Sequence, residues 1–268
     1  MPFAGVNGQR LYYEVGGDGE TIVLIHGALA SADIMEAPAT GLASGFRALR
    51  YDRRGHGRSN AVTAPLSLTE EVADLASLLD WFSAPTTHLL AHDEGAEVAL
   101  EFVLSYPSRV LSLGLLAPTV EGFAWNPEHE LAHADLMTAL RVDRKKGLEE
   151  KWFSSPIFDA AKEREGVADR IADIYRKSAD TAYAFDRPPR ERPHQIDRLG
   201  EIQVRSLVLV GDRDERERLR AAEAIADGIA GAELVTFPGL GRFLHIEESR
   251  TVMRRMTDFY MPEPEIER

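Results

Sequence analysis

LLAHDEGAEVAL, residues 89–100, decides the fold. Three apolar residues, Leu89 to Ala91, run into His92 and Asp93, and a helix-forming stretch follows at once. The local pattern is small-x-Asp-x-small-small, with Ala91, Asp93, Gly95 and Ala96. A sharp strand-to-helix turn needs small neighbours, because helix and strand backbones close on one another there. Such a turn lifts its middle side chain, here Asp93, above the sheet. The backbone N–H of Glu94, at the start of the helix, then faces any negative charge that develops nearby.

Working outward, other short apolar runs end the same way. TIVLIHG (21–27) stops at His26-Gly27, and the loop beyond it offers a second N–H, that of Ala28. SLVLVGDRD (206–214) stops at Gly211 and reaches Asp214, while FRALRYD (46–52) and RVLSLGLLAP (109–118) read as two further strands. Runs this short, apolar on both faces, suit buried parallel strands. Helical patterns lie between them. SLTEEVADLASLLDWF (67–82) opens with the Ser67/Glu70 pair of a capping box, and Val72, Leu75, Leu78, Leu79 and Phe82 repeat at helical spacing. EGAEVALEFVLSYP (94–107) and RLRAAEAIADGIA (218–230) follow the Asp93 and Asp214 strands. The alternation predicts a mostly parallel sheet covered by helices on both faces.

The 268 residues hold one such domain with an insertion. The rhythm breaks from 119 to 200, where charged residues and scattered aromatics predict helices over 128–142, 145–153 and 166–183, and the proline-rich DRPPRERPHQ (186–195) reads as a return linker. Residues 1–118 and 201–268 are thus expected to form the core, with 119–200 as a helical cap. A net charge of −13 argues against a nucleic-acid partner. The absence of cysteine excludes thiolate metal sites and a cysteine nucleophile. The N-terminal MPFAGVNGQRLYYEV has no basic-then-apolar leader pattern, and no apolar run approaches the roughly 18 residues of a membrane span. A cytoplasmic protein with no membrane partner is the expectation, with monomer and homodimer both open.

Together these motifs resemble the α/β-hydrolase family. LIHGALAS looks like its oxyanion-hole loop, YDRRGHGRS (51–59) like its Gly-rich segment, and AHDEGA like its nucleophile elbow. LVLVGDRDE looks like the strand that delivers the acid, and ELVTFPGLGRFLHIEES like the last strand and the turn after it. The resemblance implies an α/β-hydrolase fold with a helical cap. It also implies Ala28 and Glu94 as the oxyanion hole, and Asp93 in the manner of the aspartate-nucleophile branch, the epoxide hydrolases and dehalogenases. An ionised carboxylate there can attack an sp³ carbon and form an ester. Dehalogenases hold the halide with side chains at the positions of Ala28 and Glu94, and a glutamate repels an anion. Epoxide opening instead draws a donor from cap tyrosines, for which Tyr175 and Tyr183 are the candidates, although packing of an amphipathic helix explains either residue as well. His26 and Trp152 join them as candidate substrate-binding residues. No cofactor or metal is implied, and the substrate is a small, largely apolar molecule.

The last turn brings a difficulty. The family carries its catalytic histidine directly after a glycine there, whereas Gly241 is followed by Arg242, which stays protonated and is no general base. His245, three residues on, is a possible substitute, though packing or capping is its commoner use. His92 should point away from the exposed face. Asp214 fits the acid position and should pair with Arg242, as should Asp93. Glu121 is a second possible acid whose commoner reading is a cap-hinge residue. Three functions remain: an epoxide-hydrolase-like enzyme with Asp93 as nucleophile; a lyase, isomerase or cyclase with Asp93 as general base; and a binding protein or pseudoenzyme. A chain altered at position 242 to trap an intermediate reads the same way.

Overall fold

The computed structural model describes residues 2–62, 64–178 and 193–261. Eight strands form one sheet: β1 (Phe3–Val6), β2 (Gln9–Gly16), β3 (Thr21–Ile25), β4 (Arg47–Tyr51), β5 (Thr87–His92), β6 (Val110–Leu116), β7 (Arg205–Gly211) and β8 (Glu233–Phe237). Their order is β1-β2-β4-β3-β5-β6-β7-β8. Pairing is antiparallel at β1–β2 and β2–β4 and parallel from β4 to β8. The chain steps outward from β3 to β4, then returns across β3 to β5. That reversal opens a crevice at the carboxyl ends of β3 and β5, where ligands of open α/β sheets bind. Asp93 follows directly on β5.

The helices are α1 (Glu36–Leu42), α2 (Leu68–Trp81), α3 (Gly95–Ser105), α4 (Pro127–Val142), α5 (Arg144–Gly147), α6 (Asp159–Lys162), α7 (Val167–Lys177), α8 (Arg216–Gly228), α9 (Leu244–Glu247) and α10 (Ser249–Tyr260). Every residue of β3 and β5 is buried, because both faces of the sheet are covered. Alternate residues feed two cores. Val23, Ile25, Leu89 and Ala91 pack with Leu75 and Leu78 of α2 and Phe102 of α3. Ile22, Leu24 and Leu90 pack with Leu42, Met256 and Tyr260, and this second core runs on into Trp152, Phe158 and Tyr175. The Ser67/Glu70 capping box forms at the start of α2, with the Ser67 hydroxyl accepting from the Glu70 N–H at 3.2 Å. No helix among the described residues is long and apolar enough to cross a membrane.

Three features depart from the sequence reading. The β1–β2 hairpin was not foreseen; its two-residue loop, Asn7-Gly8, has positive φ at both positions (48° and 74°), the backbone that an Asn-Gly pair favours. The helix expected over 145–153 is α5 followed by one wider turn, with the Phe153 N–H reaching the Leu148 carbonyl at 2.9 Å. The helix expected over 166–183 ends at Lys177, because Ser178 leaves the helical path to donate from its hydroxyl to the Ala30 carbonyl at 2.9 Å. Tyr183 and most of the proline-rich segment lie outside the described residues.

Candidate active site

Asp93 sits at the elbow with φ of +53°, a left-handed backbone that costs a non-glycine residue about 1–2 kcal/mol. The turn is held by its N–H on the Leu116 carbonyl (3.0 Å) and by the Ala96 N–H on its own carbonyl (3.0 Å). Two glycines make room. A Cβ at Gly27 would stand 2.6 Å from the Asp93 Cβ, and one at Gly95 would stand 2.5 Å from the His26 carbonyl oxygen. Backbone cannot yield there as a flexible side chain would. We therefore expect Gly95→Ala to lower stability by about 1–3 kcal/mol, read as a shift of the urea midpoint; an unchanged midpoint would show that the elbow is looser than this packing requires.

The two oxygens of Asp93 meet different surroundings. Oδ2 lies 3.4 Å from the Ala28 N–H and the carboxylate also accepts from the Glu94 N–H, so the two expected oxyanion donors converge on it. Oδ1 lies 2.8 Å from Arg218 Nη1 and 3.7 Å from Arg242 Nη1. Neither contact is aligned as a hydrogen bond, so these are ion pairs by proximity. Burial alone would raise the Asp93 pKa. Arg218 and then Arg242 outweigh it and hold the carboxyl well below the usual carboxylate range.

Arg242 is itself buried, with its Nε donating to both Asp214 oxygens at 3.0 and 2.9 Å and Nη2 donating to Glu215 at 2.9 Å. The turn that carries it is clamped by Glu247, which accepts from the Gly241 N–H at 2.6 Å and the Phe243 N–H at 3.1 Å. Desolvation works against the charge on Arg242, but Asp214 and Asp93 raise its pKa further.

A cavity of about 390 Å³ opens over Asp93, walled by Ala28, Glu94 and Thr119 from the sheet side and by residues of the excursion between β6 and β7, including Trp152. An adjoining lobe of about 250 Å³ adds Arg242. Four other sequence candidates among the described residues do not reach this space. His26 is spent in the core: the Arg53 N–H donates to its Nε2 at 2.9 Å, which leaves Nδ1 to donate to the Gly27 carbonyl at 2.8 Å. His245 faces the Ile34 carbonyl at 3.0 Å and stacks edge-on against His92 at 4.6 Å. Tyr175 is packed among Trp152, Phe158 and Phe243, and burial pushes its hydroxyl pKa up. Glu121 accepts from His194 at 2.6 Å and from the Gln195 N–H at 3.1 Å, tying the returning chain rather than facing Asp93.

Among the wall residues that were not foreseen are Arg218, Trp125, His129 and His133. His129 and His133 are four apart on α4 and so share a face, a spacing visible in HELAHAD. Burial lowers the pKa of both, so both favour the neutral ring. The His129 ring stacks on Trp125 at 4.5 Å, and the Arg218 guanidinium stands 5.4 Å from the Trp125 ring centre.

Residues 22–255 match the model of the alpha/beta hydrolase family. A putative carbamate hydrolase, RutD, of Variovorax paradoxus is 30% identical over 260 residues, covering 93% of this chain and 95% of that protein. A 2-hydroxy-6-oxononadienedioate/2-hydroxy-6-oxononatrienedioate hydrolase of Klebsiella pneumoniae is 26% identical over 93% of this chain and 90% of its own length. Among solved structures, the esterase EaEST of Exiguobacterium antarcticum superposes with a TM-score of 0.83 at 22% identity, over 96% of this chain and 98% of that one. The enol-lactonase of Burkholderia xenovorans LB400 gives 0.77 at 23% identity, over 97% and 99%. The fold is therefore the α/β-hydrolase fold that the resemblance implied.

Proposed function

The chain belongs to the alpha/beta hydrolase family, and from that premise we propose an enzyme in which Asp93 attacks a small organic electrophile of the epoxide type and becomes esterified. One observation carries this reading: Asp93 lines the cavity with its Oδ2 held by the Ala28 N–H, while the Glu94 N–H also supports the carboxylate and Oδ1 lies beside Arg218 and Arg242. Attack through Oδ1 forms the O–C bond and breaks the substrate's C–O bond. Oδ2 then becomes the ester carbonyl oxygen, already seated beside the Ala28 N–H that would stabilise a later oxyanion.

The depressed pKa favours the nucleophile over the alternative of a general base in a lyase, isomerase or cyclase. A nucleophile has only to be ionised, whereas a base must hold the proton that it takes, and so strong a conjugate acid holds it poorly. The excursion over 119–200 serves as the cap in this reading, since the cavity lies between it and the sheet. Asp93, Glu94, Glu97 and Glu130 outnumber Arg218 on the wall. The substrate is accordingly neutral or cationic, unlike the dicarboxylate named for the Klebsiella relative. Arg242 leaves the second half-reaction without its usual base, so the ester should persist.

Incubation with styrene oxide, followed by peptide mapping, tests the proposal. An adduct confined to Asp93 and released by hydroxylamine is the expected result. Epoxide turnover with no ester at any stage would move the protein to the general-base reading.

A further inference from the structure

Arg218 has no counterpart in the motifs that drew attention to the site, yet it touches the reacting oxygen. Its Nη1 is 2.8 Å from Asp93 Oδ1, and its Nε and Nη1 are buried without an aligned acceptor. A guanidinium keeps all five N–H donors at any pH the protein survives, and a buried donor without an aligned acceptor is destabilising. An acceptor supplied by the ligand would remove that cost. Arg218 is on the wall of both lobes of the cavity, and its guanidinium stands 5.4 Å from the Trp125 ring centre. Tyr175, which would otherwise offer a donor, is enclosed by aromatic rings and is not on the wall.

We infer that Arg218 is a catalytic residue that receives the departing oxygen of the substrate as Asp93 attacks. The inference rests on the nucleophile reading above. A carbon held about 3 Å from Oδ1 is at attack distance, and an in-line attack places its departing oxygen on the far side. The guanidinium edge spans that gap, one N–H near the carboxylate and another free for the oxygen. The C–O bond breaks with its electron pair going to oxygen, giving an alkoxide. Arg218 holds the alkoxide by charged hydrogen bonds and keeps its own proton, and the alkoxide takes a proton from water.

Two probes of matched shape test this: styrene oxide, whose leaving oxygen needs a donor, and 2-phenylethyl iodide, whose leaving iodide needs none. The rate of Asp93 esterification is measured with each in the unaltered chain, in Arg218→Met and in Arg218→Lys. If Arg218 only kept Asp93 ionised, both rates would change together. The expected result is a fall in the epoxide-to-iodide ratio of about 10² to 10³ in Arg218→Met, the usual effect of removing one oxyanion donor, with partial recovery in Arg218→Lys. Esterification by both probes with an unchanged ratio overturns the role of Arg218 alone. Failure of the unaltered chain to form either ester overturns the nucleophile reading and this inference with it.

Discussion

Between pH 6.5 and 5 this protein should lose most of its stability, well before its carboxylates titrate. Four histidines, His26, His56, His92 and His245, are completely buried. Burial is the first cause lowering the pKa of each: His92 to about 4, the other three well below the ordinary value of 6.5. Arg53 lowers His26 and His56 further, and His92 does the same to His245. Their ring nitrogens meet backbone carbonyls of Gly27, Arg54, Arg242 and Ile34, and among the described residues none of the four hydrogen-bonds to a carboxylate, although the nearby charge of Asp93 offsets part of the burial at His92. The neutral ring is favoured in the fold, while the unfolded chain binds protons near pH 6.5. The contribution is therefore complete above 6.5 and shrinks as pH falls toward the folded pKa values, for His92 down to about 4. Each group is worth about 1.4 kcal/mol per pH unit, so four together reach roughly 5 kcal/mol per unit, against a typical total of about 5–15 kcal/mol. Urea titrations at pH 7, 6 and 5, followed by tryptophan fluorescence, read this directly. A midpoint that stays level from pH 7 to 5 would mean that these rings take up protons inside the fold.

The same histidines show what the sequence hides. The sheet is legible because each of its central strands is a short apolar run closed by a turn residue, and the elbow is legible because Ala91, Gly95 and Ala96 are local requirements of a local turn. Ala28, Asp93 and Glu94 reach the cavity for that reason: they end strands, or begin the helix or loop after them. His26 stands one residue from that loop, but orientation differs from proximity, and its ring turns into the core. Arg218 and Trp125 are ordinary residues in ordinary stretches. They become site residues only when α8 and the chain entering α4 are brought over β5, which no spacing within either segment encodes. The N-terminal hairpin was open to reading from Asn7-Gly8 between two alternating runs, and shows a local signal passed over rather than one that was missing.

Arg242→His should turn a persistent ester into a catalytic cycle. In the present chain the residue beside Asp214 is a buried guanidinium that donates to Asp214 and Glu215, and it can neither accept a proton from water nor release one. An imidazole at that place keeps Asp214 as the partner that orients one ring nitrogen and leaves the other for water above the Asp93 ester. Glu215, a third exposed, can turn to solvent, and Asp93 keeps Arg218 as its counter-charge, so the exchange does not strand a buried anion. General-base catalysis contributes about 10² to 10⁴ in rate, and the ester formed from styrene oxide should be hydrolysed faster by that factor, seen as loss of the Asp93 adduct and repeated turnover. The base must be neutral to act, and Asp214 beside it raises the pKa of the new histidine, so the gained activity should climb as pH rises through and above about 6.5. The opposite outcome is as informative. Should Arg242→His abolish an activity that the unaltered chain performs, the guanidinium is itself part of the chemistry, and Asp93, Arg242 and Arg218 would act as a charged frame around a reaction in which no ester is hydrolysed.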